Sequence, residues 1–552
     1  MLQLMATRIA TGLQRQTINK CSTWSTRYRV MGKPFPGPWS FLHHPWTKEI
    51  HDCTDEVIVA QKSAQMGFTE TCLNKTFFAI DIDGKSVLYV LPASTPDASD
   101  FSTARFDPAL ELSPHLSMLF TDVKNIHHKR AGSASLYIRG SRSRSQMKSV
   151  PAALIIFDEY DDMNLDNVIV AMERVEDQQQ EDKQILNRSA PTRDNVGIIV
   201  DFRQSSQEHY MFRCPHCKRL TQLIYPDCLV IIGEDSGSRE IEKSYIICKE
   251  CKHKLDHEAK VDFLKDRTMG GTAHWVPDFT NRTIRGFQIP QLYSMVVPPY
   301  KIAAKALAAK VNPADEQELY NSKCAMTHAV EGAKINDTHI KNCTGDYTKS
   351  ERSHTSAPVT MGVDVGKWLH VEIDQWYFDG KGSDVSMSAV PKVLNECKVL
   401  NFEDLDQLML QYGVTFCVID ANPERRKAFE FAQRFYGHVK LCFYGNNVNG
   451  KHINVHAEEE QTVTIDRTSW LDLSLGRFKS KRIQLPLNLS LEYKTHIKAP
   501  VRVYRKDDNG NPVGSYVTGS EEDHFAHARN YAELAFPLAL SVGQSQKVSG
   551  VM

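Results

Sequence analysis

Between Trp46 and Asp201, short and nearly unbroken apolar runs alternate with longer mixed stretches. The runs are Val57–Ala60, Val87–Leu91, Ala153–Phe157 and Ile185–Arg188. Strands buried on both faces read as continuous apolar runs, whereas half-exposed strands alternate, so this pattern predicts a parallel, doubly wound α/β sheet. Ala303 to Met326 is rich in helix formers and reads as helix, with a break at Asn312-Pro313. Asn336 to Pro358 is polar and poor in large apolar residues, which predicts a linker. A second set of strands then begins at Val359–Val365 and His370–Phe378 and continues at Val414–Asp420, with helix between.

A chain of 552 residues is too long for one hydrophobic core and implies several domains. The pattern divides it into an N-terminal segment (1–45), a first α/β domain (46–205), a cysteine-bearing segment (206–290), a helical region with linker (291–357), a second α/β domain (358–540) and a tail (541–552). With 41% hydrophobic and 24% charged residues the composition is ordinary for a globular protein. The apolar runs are strand-sized, far short of a bilayer span, and Met1 to Lys20 lacks the apolar core of a secretory signal, so no membrane association is expected. Thirteen cysteines, several isolated in apolar runs (Cys72, Cys417, Cys442), predict free thiols in a reducing compartment. The net charge of −1 excludes a global attraction to polyanions, so any nucleic-acid contact must come from local patches.

After the run Val57-Ile58-Val59 comes Gln61-Lys62-Ser63-Ala64-Gln65-Met66-Gly67-Phe68-Thr69, followed by a helical stretch from Glu70 to Ile80. Strand, loop and helix in this order are what a phosphate-binding loop requires, because backbone N–H groups and the helix N-terminus then point at the phosphates. Against G-x-x-x-x-G-K-[ST], Gly67 and Thr69 fit. Phe68 stands where lysine is usual, and Lys62 occupies the place of the first glycine. The bland alternative is an ordinary turn before a helix.

Ala153-Leu154-Ile155-Ile156-Phe157 ends in the adjacent carboxylates Asp158 and Glu159. A nucleotide hydrolase needs such a pair beside its loop: one carboxylate for Mg²⁺, shared with Thr69, and one to polarise the attacking water. Asp158-Glu159-Tyr160-Asp161-Asp162 also reads as a solvated acidic turn. Upstream, Arg139 to Lys148 alternates arginine with small polar residues, which suits contact with phosphates of DNA or nucleotide and equally a solvated loop.

Cys214-Pro215-His216-Cys217 and Cys248-Lys249-Glu250-Cys251 are two C-x-x-C knuckles. Four thiolates satisfy tetrahedral Zn²⁺ and leave no open position, so the expected role is structural. The intervening residues, 218–247, exceed the usual gap of about 15–20, which an inserted hairpin accommodates.

In the second α/β region Asp364 lies on a first strand, Asp420 ends a later one, and Asp523 is among the acidic residues that begin a final helix. Each alone reads as a strand-end or cap residue. Together, in this order, they form a ribonuclease-H-like arrangement that would hold two Mg²⁺ or Mn²⁺ ions, one activating water and the other stabilising the leaving oxygen. Arg477 to Arg482 and Arg502 to Lys506 are basic segments suited to a phosphodiester backbone, or to a solvated face.

Over roughly residues 35 to 540 the chain resembles the lambda-type large terminase subunits of tailed phages. The resemblance rests on Pro45-Trp46-Thr47-Lys48-Glu49-Ile50, Lys62-Ser63-Ala64-Gln65-Met66-Gly67, Phe157-Asp158-Glu159-Tyr160-Asp161, Ser189-Ala190-Pro191-Thr192, the Cys-Pro-His-Cys knuckle, Leu471-Asp472, Arg482 to Pro486 and Asp523-His524. The family's loop opens with Lys-Ser-Ala, which implies that Lys62 is the phosphate lysine moved to the front; the lysine that members often carry after the loop glycine is missing here. The resemblance further implies that Ser189–Thr192 couples hydrolysis to movement and that adenine is contacted at Trp46 or Thr47. It implies ATP, Mg²⁺ (or Mn²⁺) and Zn²⁺ as cofactors, and translocation and cutting of concatemeric double-stranded viral DNA. The partners it implies are a portal protein, a small terminase subunit and further copies of the chain in a ring on the procapsid. The location it implies is the host cytoplasm, with absence from the mature virion. A repair-type helicase-nuclease and a non-catalytic zinc-ribbon DNA-binding scaffold are the alternatives. The first lacks a second helicase domain with its own arginine motif, and the second sits poorly with intact Lys62, Glu159 and three aspartates.

Overall fold

The computed structural model describes residues 18–120, 123–148, 151–173, 183–192, 196–328, 333–351, 356–378, 389–445, 454–455, 461–506, 512–518 and 521–549. The chain forms two compact units, residues 1–328 and 329–552. None of the described helices is long and apolar enough to cross a membrane.

The first unit is built on a sheet of eleven strands among the described residues. Its central members are β1 (Val57–Lys62), β2 (Val87–Leu91), β3 (Ala134–Gly140), β4 (Leu154–Asp158), β5 (Gln184–Ser189), β6 (Glu208–Arg213) and β7 (Arg285–Ile289), in the spatial order β6-β7-β1-β5-β4-β2-β3. All six pairings along this path are parallel. The apolar runs alternate between two cores, as period-2 strands covered on both faces must. Ile58, Tyr89 and Ile156 pack with Cys72 and Phe77 on one side. Val59, Val90 and Ile155 pack with Val168 and Phe202 on the other.

Six helices of this unit matter here: α1 (Cys21–Tyr28), α2 (Phe68–Asp81), α3 (Leu165–Met172), α4 (Ile198–Gln204), α5 (Pro299–Ala309) and α6 (Pro313–Glu318). The break expected at Asn312-Pro313 is present: α5 ends at Ala309, and Asn312 caps α6 by accepting the Ala314 N–H. Two other expectations are corrected. The limits expected at 205/206 and 290/291 cut through the large sheet, because β6 and β7 belong to it and β7 lies directly beside β1. Residues before 46 also join this unit. Trp24 of α1 is buried, stacks on Phe77 and donates its indole N–H to Asp81 (2.9 Å).

The second unit contains β8 (Val359–Val365), β9 (Leu369–Phe378), β10 (Ala389–Val399), β11 (Phe416–Asp420), β12 (Val439–Tyr444) and β13 (Thr462–Ile465). The spatial order is β10-β9-β8-β11-β12-β13, with β9 antiparallel to both neighbours and the strands from β8 through β13 parallel. Its helices are α7 (Asp337–Cys343), α8 (Phe402–Tyr412), α9 (Arg425–Arg434), α10 (Arg467–Lys479), α11 (Leu491–Lys498) and α12 (His524–Ser549). Helices α8 and α9 cover one face of the sheet, and α10 to α12 pack in cores on the other. The predicted linker 336–358 is instead structured in part. Asn336 and His339 form a capping box that starts α7, and Ile335, Ile340, Cys343 and Tyr347 are buried. A few well-spaced apolar residues suffice to anchor an otherwise polar segment.

Gly362 decides how α12 sits. A Cβ there would overlap backbone atoms of Ala528 and Ala532, so only glycine lets the helix lie directly on β8. That contact brings the start of α12 to the end of β8, where Asp364 is.

The basic run 477–482 is only partly a surface feature. Arg477 is buried, 5% exposed, and donates through Nε and Nη2 to Glu533 (2.6–2.8 Å) and through Nη1 to the Ala389 carbonyl (2.7 Å). Arg529 ties Glu533 onward to Glu372 and Asp374. In the other basic segment Arg502 grips Asp472 with two bonds (2.6 and 2.7 Å). Both arginines therefore serve the fold. Truncating Arg477 to alanine leaves Arg529 alone to match three buried carboxylates, Glu533, Glu372 and Asp374, and the expected cost is about 3–5 kcal/mol. Denaturant unfolding checks this; an unchanged midpoint would contradict it.

Candidate active sites

The first site lies at the carboxyl ends of β1, β4 and β5, where open parallel sheets bind ligands. The loop after β1 turns through left-handed backbone at Gln65 (φ 61°) and Gly67 (φ 83°), and α2 then begins at Phe68 with no side chain capping its N-terminus. Those first helical N–H groups have no intrahelical partner and face outward, the usual basis of an anion site. The loop's front is held from below: Ser63 N–H donates to Ile289 (3.0 Å), Ala64 N–H to Ser322 (2.9 Å), and the Ser63 hydroxyl to Lys323 (2.8 Å). At its back the Trp46 indole donates to the Met66 carbonyl (2.9 Å). Trp46 and Thr47 are both fully buried, so neither offers a face to adenine, contrary to expectation.

Lys62, at the end of β1, is 7% exposed, and its Nζ lies 3.4 Å from Glu159 Oε1. Burial and the nearby Arg188 hold its pKa below the ordinary lysine value. Burial works against the Glu159 carboxylate, but Lys62 and Arg188 outweigh it, and Glu159 stays below the usual range. Glu159 itself adopts left-handed backbone (φ 63°, ψ 49°), a conformation costing about 1–3 kcal/mol that the surroundings must enforce. Asp158 is buried and accepts from the Tyr89 hydroxyl (2.6 Å).

Arg188, which sequence reasoning took only as the end of a strand, is the centre of this site. Its Nη2 pairs with Asp158 Oδ1, donates to the Thr69 hydroxyl (3.0 Å) and lies 4.0 Å from Glu159. Thr69 and Asp158, the two residues expected on Mg²⁺, are thus both engaged by the Arg188 guanidinium. Next to Arg188, the Ser189 hydroxyl accepts the Asp161 N–H (3.2 Å). Asp161 in turn accepts the Thr192 N–H and hydroxyl (2.7 and 2.8 Å) and the Ile198 N–H (2.7 Å). The acidic turn and the segment Ser189–Thr192 are therefore one hydrogen-bonded assembly.

The four knuckle cysteines converge, with all four sulfurs within 4.8 Å of one another and Cys214 Sγ 3.9 Å from Cys251 Sγ. The two knuckles repeat one geometry. The backbone carbonyls of Cys214 and Cys248 accept the backbone N–H groups of Lys218 and Lys252 (3.0 and 2.9 Å), and both lysines have left-handed backbone (φ 60° and 58°). Between the knuckles Leu229–Val230 pairs with Tyr245–Ile247, which pairs in turn with Lys254–Leu255. This donor set and spacing fit a tetrahedral zinc ion.

In the second unit, Val363 lies opposite Ile419 in the parallel pair β8–β11, so Asp364 and Asp420 are the next positions on neighbouring strands. Burial, with Asp364 adding to it, pushes the Asp420 carboxyl up to about 6. Asp523 is turned toward Thr518 (2.9 Å), His527 (3.3 Å) and Arg467 (3.7 Å), which hold it down to about 2 despite its burial. Two histidines stand beside Asp364. His524 Nδ1 is 2.8 Å from Asp364 Oδ2, and His370 joins them so that ligand atoms of all three lie within 4.8 Å. His370 was not anticipated, yet it pairs directly with Asp364 across the β8–β9 hairpin, a register that follows from the tight turn between them.

Comparison with known proteins gives two sequence-family matches. Residues 33–275 match the ATPase domain of the phage terminase large subunit gpA, and residues 284–510 match the terminase large subunit gpA endonuclease domain. No curated protein sequence matches the chain. Among solved structures, the HK97 bacteriophage large terminase is similar over 94% of this chain and 99% of that chain, at 11% identity and a TM-score of 0.47. The large terminase nuclease of thermophilic phage G20c with bound magnesium is similar over 36% of this chain and 95% of that one, at 12% identity and a TM-score of 0.22. The two family matches, lying end to end over most of the chain, show that it belongs to the phage terminase large subunits of the gpA family.

Proposed function

We propose that the first unit hydrolyses ATP to drive double-stranded viral DNA into the procapsid, and that the second cuts concatemeric DNA with divalent metal ions. The observation that supports the first half is Lys62: from the front of its loop its Nζ lies 3.4 Å from Glu159 Oε1, so the groups proposed as phosphate lysine and water-activating carboxylate are neighbours. Lys62 and the loop 63–68 would hold the phosphates. Bound between Thr69 and Asp158, Mg²⁺ would neutralise charge developing on the phosphates. Glu159 would orient and polarise the attacking water, and its depressed pKa keeps it ionised for that role. Arg188 must yield Thr69 and Asp158 for this to happen, and it adjoins Ser189. Movement of Arg188 thereby reaches the hydrogen-bonded segment 189–192, which supports the reading of that segment as the link between hydrolysis and motion.

Glu159→Gln should abolish ATP turnover, by at least about 10²-fold, while leaving DNA cutting intact. Unchanged phosphate release would sink the assignment.

In the second unit Asp364, Asp420 and Asp523 are the proposed carboxylates of the nuclease centre. The cysteine quartet is proposed to hold Zn²⁺ in a structural role. Metal analysis should find about one zinc per chain, and Cys248→Ser should lose it together with heat stability; a metal-free native protein would overturn this. Exposed Arg142 and Arg144 are candidates for phosphate contact. The proposed partners are double-stranded DNA, a portal protein, a small terminase subunit and further copies in a ring, acting in the host cytoplasm and absent from the mature virion.

A further inference from the structure

His370 is 3% exposed, and its Nδ1 has no hydrogen-bond partner. A buried imidazole nitrogen without a partner is uncommon, because desolvation of a polar atom must be compensated. The ring stands beside Asp364, its cross-strand neighbour, and beside His524, the first residue of α12. The two imidazole rings stack at 4.6 Å, 11° from parallel. Ligand-type atoms of Asp364, His370 and His524 lie within one 4.8 Å group.

We propose that Asp364, His370 and His524 form a metal position of two imidazoles and one carboxylate within the nuclease centre. It is selective for a nitrogen-accepting first-row ion (Mn²⁺, Co²⁺ or Zn²⁺) over Mg²⁺. Its placement within a nuclease rests on the function proposed above; the binding of metal does not.

The chemistry of the donors carries the selectivity. Mg²⁺ demands oxygen ligands in near-ideal octahedral geometry and dehydrates reluctantly. Imidazole favours transition ions, and a site of three protein ligands leaves open positions for water or a phosphate oxygen. The bond between His524 Nδ1 and Asp364 gives a metal-free arrangement in which the two groups satisfy each other; the ion would take that place, with loss of the shared proton. His370 Nε2 lies 3.6 Å from Glu492 and its Nδ1 has no partner, so the ring keeps a nitrogen free to gain a bond when metal enters. Asp420, at the next strand end, stands ready as a further carboxylate.

The test uses the full chain without nucleotide, loaded with Mn²⁺ alone and examined by pulsed electron paramagnetic resonance. Nitrogen couplings from two imidazoles are expected, falling to one in His370→Asn and in His524→Ala. Mn²⁺ should persist against about a hundredfold excess of Mg²⁺ in the unaltered chain. His524→Ala, at a partly exposed position, should weaken Mn²⁺ binding more than about tenfold. Bound Mn²⁺ without nitrogen coupling, ready displacement by equimolar Mg²⁺, or no Mn²⁺ binding would each overturn the proposal. Plasmid cleavage measured on the same samples separates the two readings. Nitrogen-coupled Mn²⁺ without cutting leaves this site standing and removes the nuclease, whereas cutting with oxygen-only Mn²⁺ does the reverse.

Discussion

Lys62→Ala should lower ATP turnover by about 10²–10³-fold, the scale on which removal of one preorganised charge-stabilising donor acts. Lys62 is the cation nearest Glu159 in the site, at 3.4 Å, and it is buried at a strand end where no solvent-exposed lysine can replace it. Arg188 lies farther from Glu159, at 4.0 Å, and comes from β5 rather than from the phosphate loop, so it does not take the place of Lys62. Phe68, in the place where a phosphate loop usually has its lysine, is buried in the core with Cys72 and Phe77. Phe68→Leu keeps the apolar character and should cost less than about 1.5 kcal/mol in stability while sparing turnover. Steady-state phosphate release with DNA present decides between the two positions. Turnover retained in Lys62→Ala and lost in Phe68→Leu would mean that the lysine has not moved to the front of the loop.

The second large effect is expected at Asp420. Asp420→Ala should reduce metal-dependent plasmid cutting by about 10²-fold or more, with ATP turnover unchanged. Asp420 and Asp364 end neighbouring parallel strands, and burial, with Asp364 adding to it, pushes the Asp420 carboxyl up to about 6. Such a pair is poorly stable without a cation and well suited to one. Cutting that survives in Asp420→Ala would move the chemistry elsewhere in the unit.

Some of this was legible from the chain alone, for physical reasons. Val87–Leu91 and the run ending at Asp158 are buried on both faces, so burial wrote them as unbroken apolar stretches, and the carboxylates at their ends follow from strand polarity. Gly67 is where the loop needs left-handed backbone. Arg188 was hidden because its meaning depends on β5 lying beside both β4 and β1, which local sequence does not state. Arg477 read as a basic surface residue because its partners are on α12 and at the start of β10, remote in sequence. The strands β6 and β7 escaped notice because they carry charged residues. Arg285 pairs with Glu208 across the two strands, and the ion pair lets both sit in the sheet. His370 was within reach: a short hairpin fixes its register, and the register puts it opposite Asp364.

The central claim is that the cutting chemistry is complete within one unit of this chain. Because Ile335, Ile340 and Tyr347 belong to the core or buried interior of the second unit, the segment to test begins at residue 329 rather than after the polar stretch ending at Pro358. The decisive measurement is plasmid cleavage by residues 329–552 without ATP. The account predicts cutting with a divalent metal ion, none with chelator, and none in Asp364→Asn. A folded segment that leaves plasmid intact with every divalent ion tried would contradict it.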